Sequence, residues 1–420
     1  MFTFGYSEID ITPQDPIVLG AYHRYRGQNR ATEQVLEPLK ATIFYFKDQQ
    51  GSRSILLSLD LIWVSEQLTD WVAEWCRDLY GIEKDNILIT ATHSHSTPQI
   101  HPRITNHGNI DEHYINKLFN CVKKGIKRAI SETTPASLTH FSVPINTLPI
   151  CNRVSFGRNP FTFEQVGFLA PNPSRPIDQV IRVSLIYRPE VDTPIAVLLN
   201  MAVHPVFNKK NRVSSDYPGT VRKKLKSHFG KDCPIAFLQG FSGDIKPCYT
   251  APFSKQRLVN ILLRSSLRPP FKRDIYSNLE TFAQQTTNLI MQGYYKNTNH
   301  ETVSPDLNNQ YKKQSENLFN DKKLQLNVSR FDLPEGPSLI GINGEVFAHY
   351  LEDIRELNLQ RPAWPVAYAN GMLGYLPDPD MLEKQTGYEY HSWRMFNLPR
   401  AFTPSLSKKL EKSIKSLEHS

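Results

Sequence analysis

Two histidines stand two residues apart in Ala91-Thr-His-Ser-His-Ser96, directly after the apolar run Ile87-Leu-Ile89. Imidazole is a standard zinc ligand and the one side chain that ordinarily exchanges protons near neutral pH. In an extended segment, side chains at i and i+2 share a face, so His93 and His95 could combine a metal ligand with a proton carrier. The plainer reading is a pair of surface histidines, and the pair alone does not decide. His204 repeats the setting: an apolar run over 195–201 leads into Ala202-Val-His-Pro205, where proline prevents the ladder from continuing. That repetition favours a shared site. Gly240-Phe-Ser-Gly243-Asp244 follows another apolar run, its glycines allowing close backbone approach and Asp244 able to orient a metal-bound histidine. Asp60, where the run 54–59 gives out, reads equally as a helix cap or as outer support for the site.

The elements that must position these residues show in the periodicity. The runs 41–46 and 54–59 read as neighbouring strands across a polar turn containing Gly51-Ser52. Residues 64–80 have apolar positions at helical spacing, with Ser65 as N-cap and Gly81 as the stop. The strand over 86–91 follows, completing a strand–helix–strand unit. A second amphipathic helix is expected over 111–131, strands over 137–143, 179–187 and 195–201, and a basic helix over 220–229. Trp71 and Trp75, four apart on the first helix, are expected in the core. The C-terminal third returns to strand at 324–331 and 339–344, with Glu345 at a strand-to-helix corner, and ends in a helix over 404–418. The expected class is α/β: a mixed β-sheet core with flanking helices and a zinc site at the carboxyl ends of strands.

Composition narrows the function classes. Apolar residues make up 40% and no stretch is long enough for a membrane span. The N-terminus lacks a basic flank followed by an apolar block, so a cytoplasmic location is expected. Five scattered cysteines (Cys76, Cys121, Cys151, Cys233, Cys248) without a CxxC pair indicate reduced thiols, and neither a disulfide framework nor a thiolate zinc site. The net charge of +8 is not gathered into one run and no nucleic-acid module is recognisable, so nucleic acid is not an expected partner. Residues 253–273 carry Lys255, Arg257, Arg264, Arg268, Lys272 and Arg273 among leucines and isoleucines. This reads either as a solvated helix face or as a lid or contact with anionic lipid. The polar stretch 296–323 reads as a surface excursion with local disorder. With no internal repeat, residues 1–420 are expected to form one catalytic domain, with 253–323 an insertion or lid.

Seven short motifs follow one another along the chain: Asp10-Ile-Thr-Pro, Ala91-Thr-His-Ser-His-Ser, Ala202-Val-His-Pro, Asp216-Tyr-Pro-Gly, Gln239-Gly-Phe-Ser-Gly-Asp, Asn343-Gly-Glu and Gly374-Tyr-Leu-Pro. In this order they resemble the catalytic domain of the neutral/alkaline non-lysosomal ceramidase family, in the form of its shorter bacterial relatives. The resemblance implies one zinc ion per chain held by His93, His204, Glu345 and Tyr375. It implies that His95 is a non-ligand that exchanges protons with the attacking water and the leaving amine. It also implies that Arg153 and Tyr388 hold the substrate carbonyl oxygen. Where the family carries a Gly-Pro-Gly-rich segment after the histidines, this chain has Ser96-Thr-Pro-Gln-Ile-His-Pro102.

The chemistry that follows is hydrolysis of an N-acyl amide, ceramide-like or another N-acylated amine, to a carboxylic acid and an amine. A small-molecule or lipid-like substrate is the expected partner, with peripheral membrane contact through the basic segment. Two other readings stand beside it. One is a zinc hydrolase of a small polar amide or ester in a biosynthetic pathway. The other is a non-catalytic binding protein that keeps the fold.

Overall fold

The computed structural model describes residues 1–420 apart from 22–29, 105–109, 252–254, 265, 297–300, 305–307, 320, 322–323 and 419–420, with backbone alone at 256, 260 and 264. Strands occur at β1 (Phe2–Asp10), β2 (Lys40–Lys47), β3 (Arg53–Leu59), β4 (Ile87–Ala91), β5 (Thr133–Pro144), β6 (Ile150–Asn152), β7 (Val154–Arg158), β8 (Gln165–Leu169), β9 (Val180–Tyr187), β10 (Ala196–Met201), β11 (Ile235–Gln239), β12 (Ile245–Pro247), β13 (Tyr311–Asn317), β14 (Gln325–Asp332), β15 (Ser338–Ile342), β16 (Glu345–Val346), β17 (Ala363–Val366) and β18 (Tyr375–Leu376). Eight of them form a mixed sheet in the order β11-β10-β9-β5-β1-β2-β3-β4. The β10–β11 and β3–β4 pairs are parallel and the other pairs antiparallel.

The apolar runs are nearly continuous because both faces of this sheet are covered. Along β2, Ile43 and Tyr45 face the helices Glu66–Tyr80 and Glu112–Ser131, whereas Phe44 and Phe46 face inward. Along β10, Val197 and Leu199 face the helices Asp216–Phe229 and Leu279–Lys296, and Leu198 faces inward. The sheet coils until its ends approach: Ser58 of β3 donates to the Phe237 carbonyl of β11 at 2.6 Å. A second sheet, β13-β14-β15-β17, supplies Phe331, Leu339, Trp364 and Val366 to the inner core.

The segment after β17 joins the two ends. Ala367 N–H donates to the Gln239 carbonyl at the end of β11, and Asn370 N–H to the Ile89 carbonyl of β4. Asn370 also accepts from Ile89 N–H through Oδ1. The carboxyl ends of β4 and β11 are thereby held at one locus.

Ser65 caps the first helix by accepting from Leu68 N–H, and Gly81 ends it with φ of 59°, as the sequence reads. Asp60 caps nothing; it accepts from Lys40 N–H and pairs with buried Arg222. Trp71 lies against the core, its ring stacked on Phe119. The stretch 296–323 is more ordered than its polarity suggests. Residues Tyr311–Asn317 form β13, an edge strand whose alternation is muted because both faces stay partly exposed; residues 297–300, 305–307, 320 and 322–323 of the stretch lie outside the described residues. In the basic segment, Lys255–Arg264 is helical, while 253–254, 265 and the side chain of Arg264 lie outside the described residues.

Candidate metal centre and active site

His93 follows β4 by two residues and His204 follows β10 by three. Both imidazoles are fully buried, and each is fixed from behind by a backbone carbonyl. His93 Nδ1 lies 2.6 Å from Ile62 O, and His204 Nδ1 lies 2.7 Å from Ser242 O. A carbonyl oxygen can only accept, so Nδ1–H donates and each Nε2 is left as a lone-pair acceptor. Those two Nε2 atoms face one another at 3.2 Å. Burial pushes His93 down to about 3, with His204 and Arg153 adding to the shift and Glu345 opposing it. Burial, then Arg153, pushes His204 well below its usual value. Both rings are neutral at pH 7, the form a metal ligand requires.

Glu345 Oε2 lies 3.6 Å from His93 Nε2 and 3.4 Å from His204 Nε2. That oxygen is buried and accepts no hydrogen bond among the described residues. Two imidazole nitrogens and a carboxylate oxygen brought this close, each imidazole spending its own N–H on a backbone carbonyl, are unfavourable without a cation. The residues therefore fit a metal ion. His95 belongs to the same cluster. Its Nε2 is 3.1 Å from His93 Nε2, and the three histidines offer nitrogens lying within 4.8 Å of one another.

His93 and His95 do not lie along an extended strand. His93 has φ of 65°, in the left-handed region, so the chain has left the strand before reaching it. The turn, not the pleat, brings the rings together at a centroid separation of 4.7 Å. Asp244 also differs from expectation. It accepts from Asn152 Nδ2 at 2.5 Å and from Ala348 N–H at 2.8 Å, and the Ser242 carbonyl orients His204 instead.

Tyr375 stands opposite Glu345 in the parallel β16–β18 pair, which sets the two side by side. Burial raises its phenol well above the ordinary range, Glu345 adding to the effect and Arg153 opposing it. Arg153 follows β6 and is buried. Its Nη2 donates to Tyr375 Oη at 3.0 Å and to the Gly243 carbonyl at 2.8 Å, and its Nε to Glu389 Oε1 at 2.9 Å. Nη1 has no acceptor among the described residues. Tyr388 is 49% exposed, its ring 5.9 Å from that of Tyr375 and its hydroxyl 3.5 Å from Met395 Sδ. All seven sequence-derived site residues thus converge on one locus, Tyr388 at its outer edge.

Several contributors lie beyond the sequence reading. Tyr368 stacks on His93, with centroids 4.0 Å apart and planes within 13°. Its φ of 54° is imposed by the segment that joins β4 and β11. The Asn370-Gly371 pair just after it is a turn signal that marks such a departure from strand. Gly243 lets two backbones touch: a Cβ there would sit 2.6 Å from the Glu345 carbonyl oxygen. The segment 96–102, where the chain leaves the family pattern, is buried from Ser96 to His101 and knit by side chains. Gln99 accepts from Trp63 Nε1 at 2.8 Å, and His101 lies 2.8 Å from Glu66 Oε2.

Fold and site define an α/β protein with a buried histidine–carboxylate cluster suited to a divalent cation. The chain belongs to the neutral/alkaline non-lysosomal ceramidase family, whose N-terminal region matches residues 2–325. It is accordingly an enzyme of an amide-hydrolysing class. Its fold is similar to that of neutral ceramidase from Pseudomonas aeruginosa, with a TM-score of 0.75 at 15% identity, covering 99% of this chain and 74% of that one. A structure described as ceramidase complexed with C2 is comparable, with a TM-score of 0.75 at 14% identity and coverage of 99% and 75%. At such identity the likeness is one of fold. Among the described residues, no helix is long and apolar enough to cross a membrane.

Proposed function

We propose that the chain is a zinc-dependent amidohydrolase that cleaves an N-acyl amide to a carboxylic acid and an amine. One zinc ion per chain would be held by His93, His204, Glu345 and Tyr375. The observation that carries this reading is the pair of carbonyl-fixed imidazoles whose free Nε2 atoms face the unpartnered Glu345 oxygen. Zinc at this position would supply Lewis acidity and lower the pKa of water toward ~7.

The remaining work falls to the chain's own groups. His95, half-buried at the edge of the cluster, takes the proton of the attacking water at Nε2 and returns it to the departing nitrogen. Arg153, through Nη1, and Tyr388, through its hydroxyl, donate to the carbonyl oxygen as negative charge gathers there, each worth roughly 3–4 kcal/mol. Glu389 and the Gly243 carbonyl hold the guanidinium plane so that Nη1 is aimed before substrate arrives.

A lipid-like acyl group is supported by the surface beside the site. The helix Lys255–Arg264 packs against β7. It exposes Leu258 and Leu262, the β7–β8 turn exposes Phe161 and Phe163, and Leu267 lies 76% exposed just beyond the helix. With Lys255 and Arg257 among them, this surface suits contact with an anionic bilayer that holds the substrate. The same reading takes residues 1–420 as one catalytic domain, with 253–273 serving the substrate approach.

The deciding experiment combines metal analysis of purified protein with hydrolysis of N-acyl amides of varied chain length and head group, with and without a chelator. Chelator-sensitive amide cleavage with about one zinc per chain is expected. Absence of both would refute the reading.

A further inference from the structure

Lys246 lies in β12, directly opposite Cys151 of β6. By the alternation of an extended ribbon, Cys151 and Arg153 lie on one face of β6 and its continuation, and Lys246 and Cys248 share that face across the pair. The ammonium therefore lies on the same face as the guanidinium proposed to hold the scissile carbonyl. It is half-buried, and its Nζ lies 4.2 Å from the centre of the Phe271 ring.

The groups facing it are the cations Lys209 and Arg153 and the thiols Cys151 and Cys248. Among the described residues no aspartate or glutamate pairs with it, although Arg153 has Glu389 and Arg222 has Asp60. Burial, Lys209 and Arg153 together push the ammonium down to about 7. Glu389 is taken by Arg153 and Asp274 faces Lys209, so the acidic groups nearest Lys246 are the Cys151 and Cys248 thiols, and an incoming anion would relieve the cost of burying the ammonium.

We propose that Lys246 is an anion-binding element of the substrate cleft, so that the amide cleaved carries a carboxylate, as an N-acylated amino acid does. The inference rests on the amidase reading for where the substrate lies, and it names the substrate class of that site. The carboxylate accepts from Nζ against Phe271 while the scissile carbonyl faces Arg153. Lys246 is then a specificity-determining residue that touches substrate away from the bond broken.

The test uses zinc-loaded full-length protein and two matched pairs of amides. In one pair the carboxylate is on the amine side, as N-hexanoylglycine against N-hexanoylglycinamide. In the other it is on the acyl side, as adipic acid mono-N-butylamide against the corresponding uncharged diamide. Binding by calorimetry and hydrolysis are both measured, for wild type and for Lys246→Met, Lys246→Gln and Lys246→Arg. We expect the anionic member of one pair to bind about tenfold tighter, the scale of one charge-assisted hydrogen bond. That ratio should fall to near one in Lys246→Met and Lys246→Gln and be kept in Lys246→Arg. Equal binding within both pairs by wild type overturns the proposal, as does a preference that persists in the Met and Gln variants. If no amide is hydrolysed while the charge preference and its loss remain, the amidase reading fails and the anion site stands.

Discussion

Arg153 Nη2 donates to Tyr375 Oη at 3.0 Å. One hydrogen bond thus links the group proposed to receive the oxyanion to the group proposed to hold the metal. Because Glu389 and the Gly243 carbonyl grip the same guanidinium, Arg153 orders two parts of the site at once. Arg153→Gln should lower kcat by about 10²–10³ through the lost donor. It also strands buried Glu389, so unfolding by denaturant should show a loss of roughly 3–5 kcal/mol. A full loss of turnover with unchanged stability would separate Arg153 from Glu389.

The histidines differ in their expected responses. His93→Ala and His204→Ala should abolish zinc binding and activity together. His95→Ala should retain zinc and lose turnover by about 10²–10⁴. Metal content by mass spectrometry reads this directly. Normal zinc in His93→Ala would remove it from the ligand set, and zinc loss in His95→Ala would make it a ligand.

Gly243→Ala tests the backbone approach that seats Glu345. Its Cβ would meet the Glu345 carbonyl at 2.6 Å and the Val346 carbonyl at 2.9 Å, neither of which is a flexible side-chain end. The expected cost is about 1–3 kcal/mol with weakened zinc retention on dialysis. A variant as stable and as metal-rich as wild type would show that the two loops can part freely.

Acid should destabilise the metal-free protein. The folded pKa of His93 is about 3, below its ordinary 6.5, and that of His204 is shifted the same way. Between those values the unfolded chain binds protons that the folded chain refuses, so stability rises with pH there and is lost as pH falls below 6.5. In chelator, urea midpoints from pH 6.5 down to about 5 should decline by an amount equivalent to roughly 1.4 kcal/mol per unit for each buried histidine. His93→Phe should flatten the slope, and an unchanged slope would locate the proton uptake elsewhere.

The exposed apolar surface beside the site predicts membrane association. Vesicles containing phosphatidylserine should sediment the protein, and high salt or neutral vesicles should weaken the effect. Leu262→Ser with Phe163→Ser should reduce binding by about a hundredfold, roughly tenfold for each apolar side chain that would enter the bilayer. Equal sedimentation of the double variant would reject this surface.

Much of this architecture is legible in residue order because burial on both faces of the main sheet leaves plain apolar runs. The histidines after β4 and β10 are visible for the same reason: they stand where those runs stop. What escapes has a common cause. Ile62 O and Ser242 O, which fix the two tautomers, are backbone atoms, and any residue type could supply them. Tyr368 is brought to His93 by hydrogen bonds that span about two thirds of the chain, and no local pattern announces such a contact. The strand Tyr311–Asn317 hides behind polarity because an edge strand needs little apolar surface. Its partner β14 supplies the order.

The segment joining β11 to β4 also sets an order of assembly. Ala367 and Asn370 fasten strands that were made well over a hundred residues earlier in translation. Until they emerge, the two ends meet through contacts such as that of Ser58 with the Phe237 carbonyl, without the backbone bonds of the joining segment, and closing so long a loop costs several RT of chain entropy. The nascent chain therefore carries His93 for most of its synthesis, and His204 for the later part of it, before the joining segment fastens the strands that precede them. On the proposed ligand set, metal capture would be a late event, coupled to completion of the C-terminal third that supplies Glu345 and Tyr375.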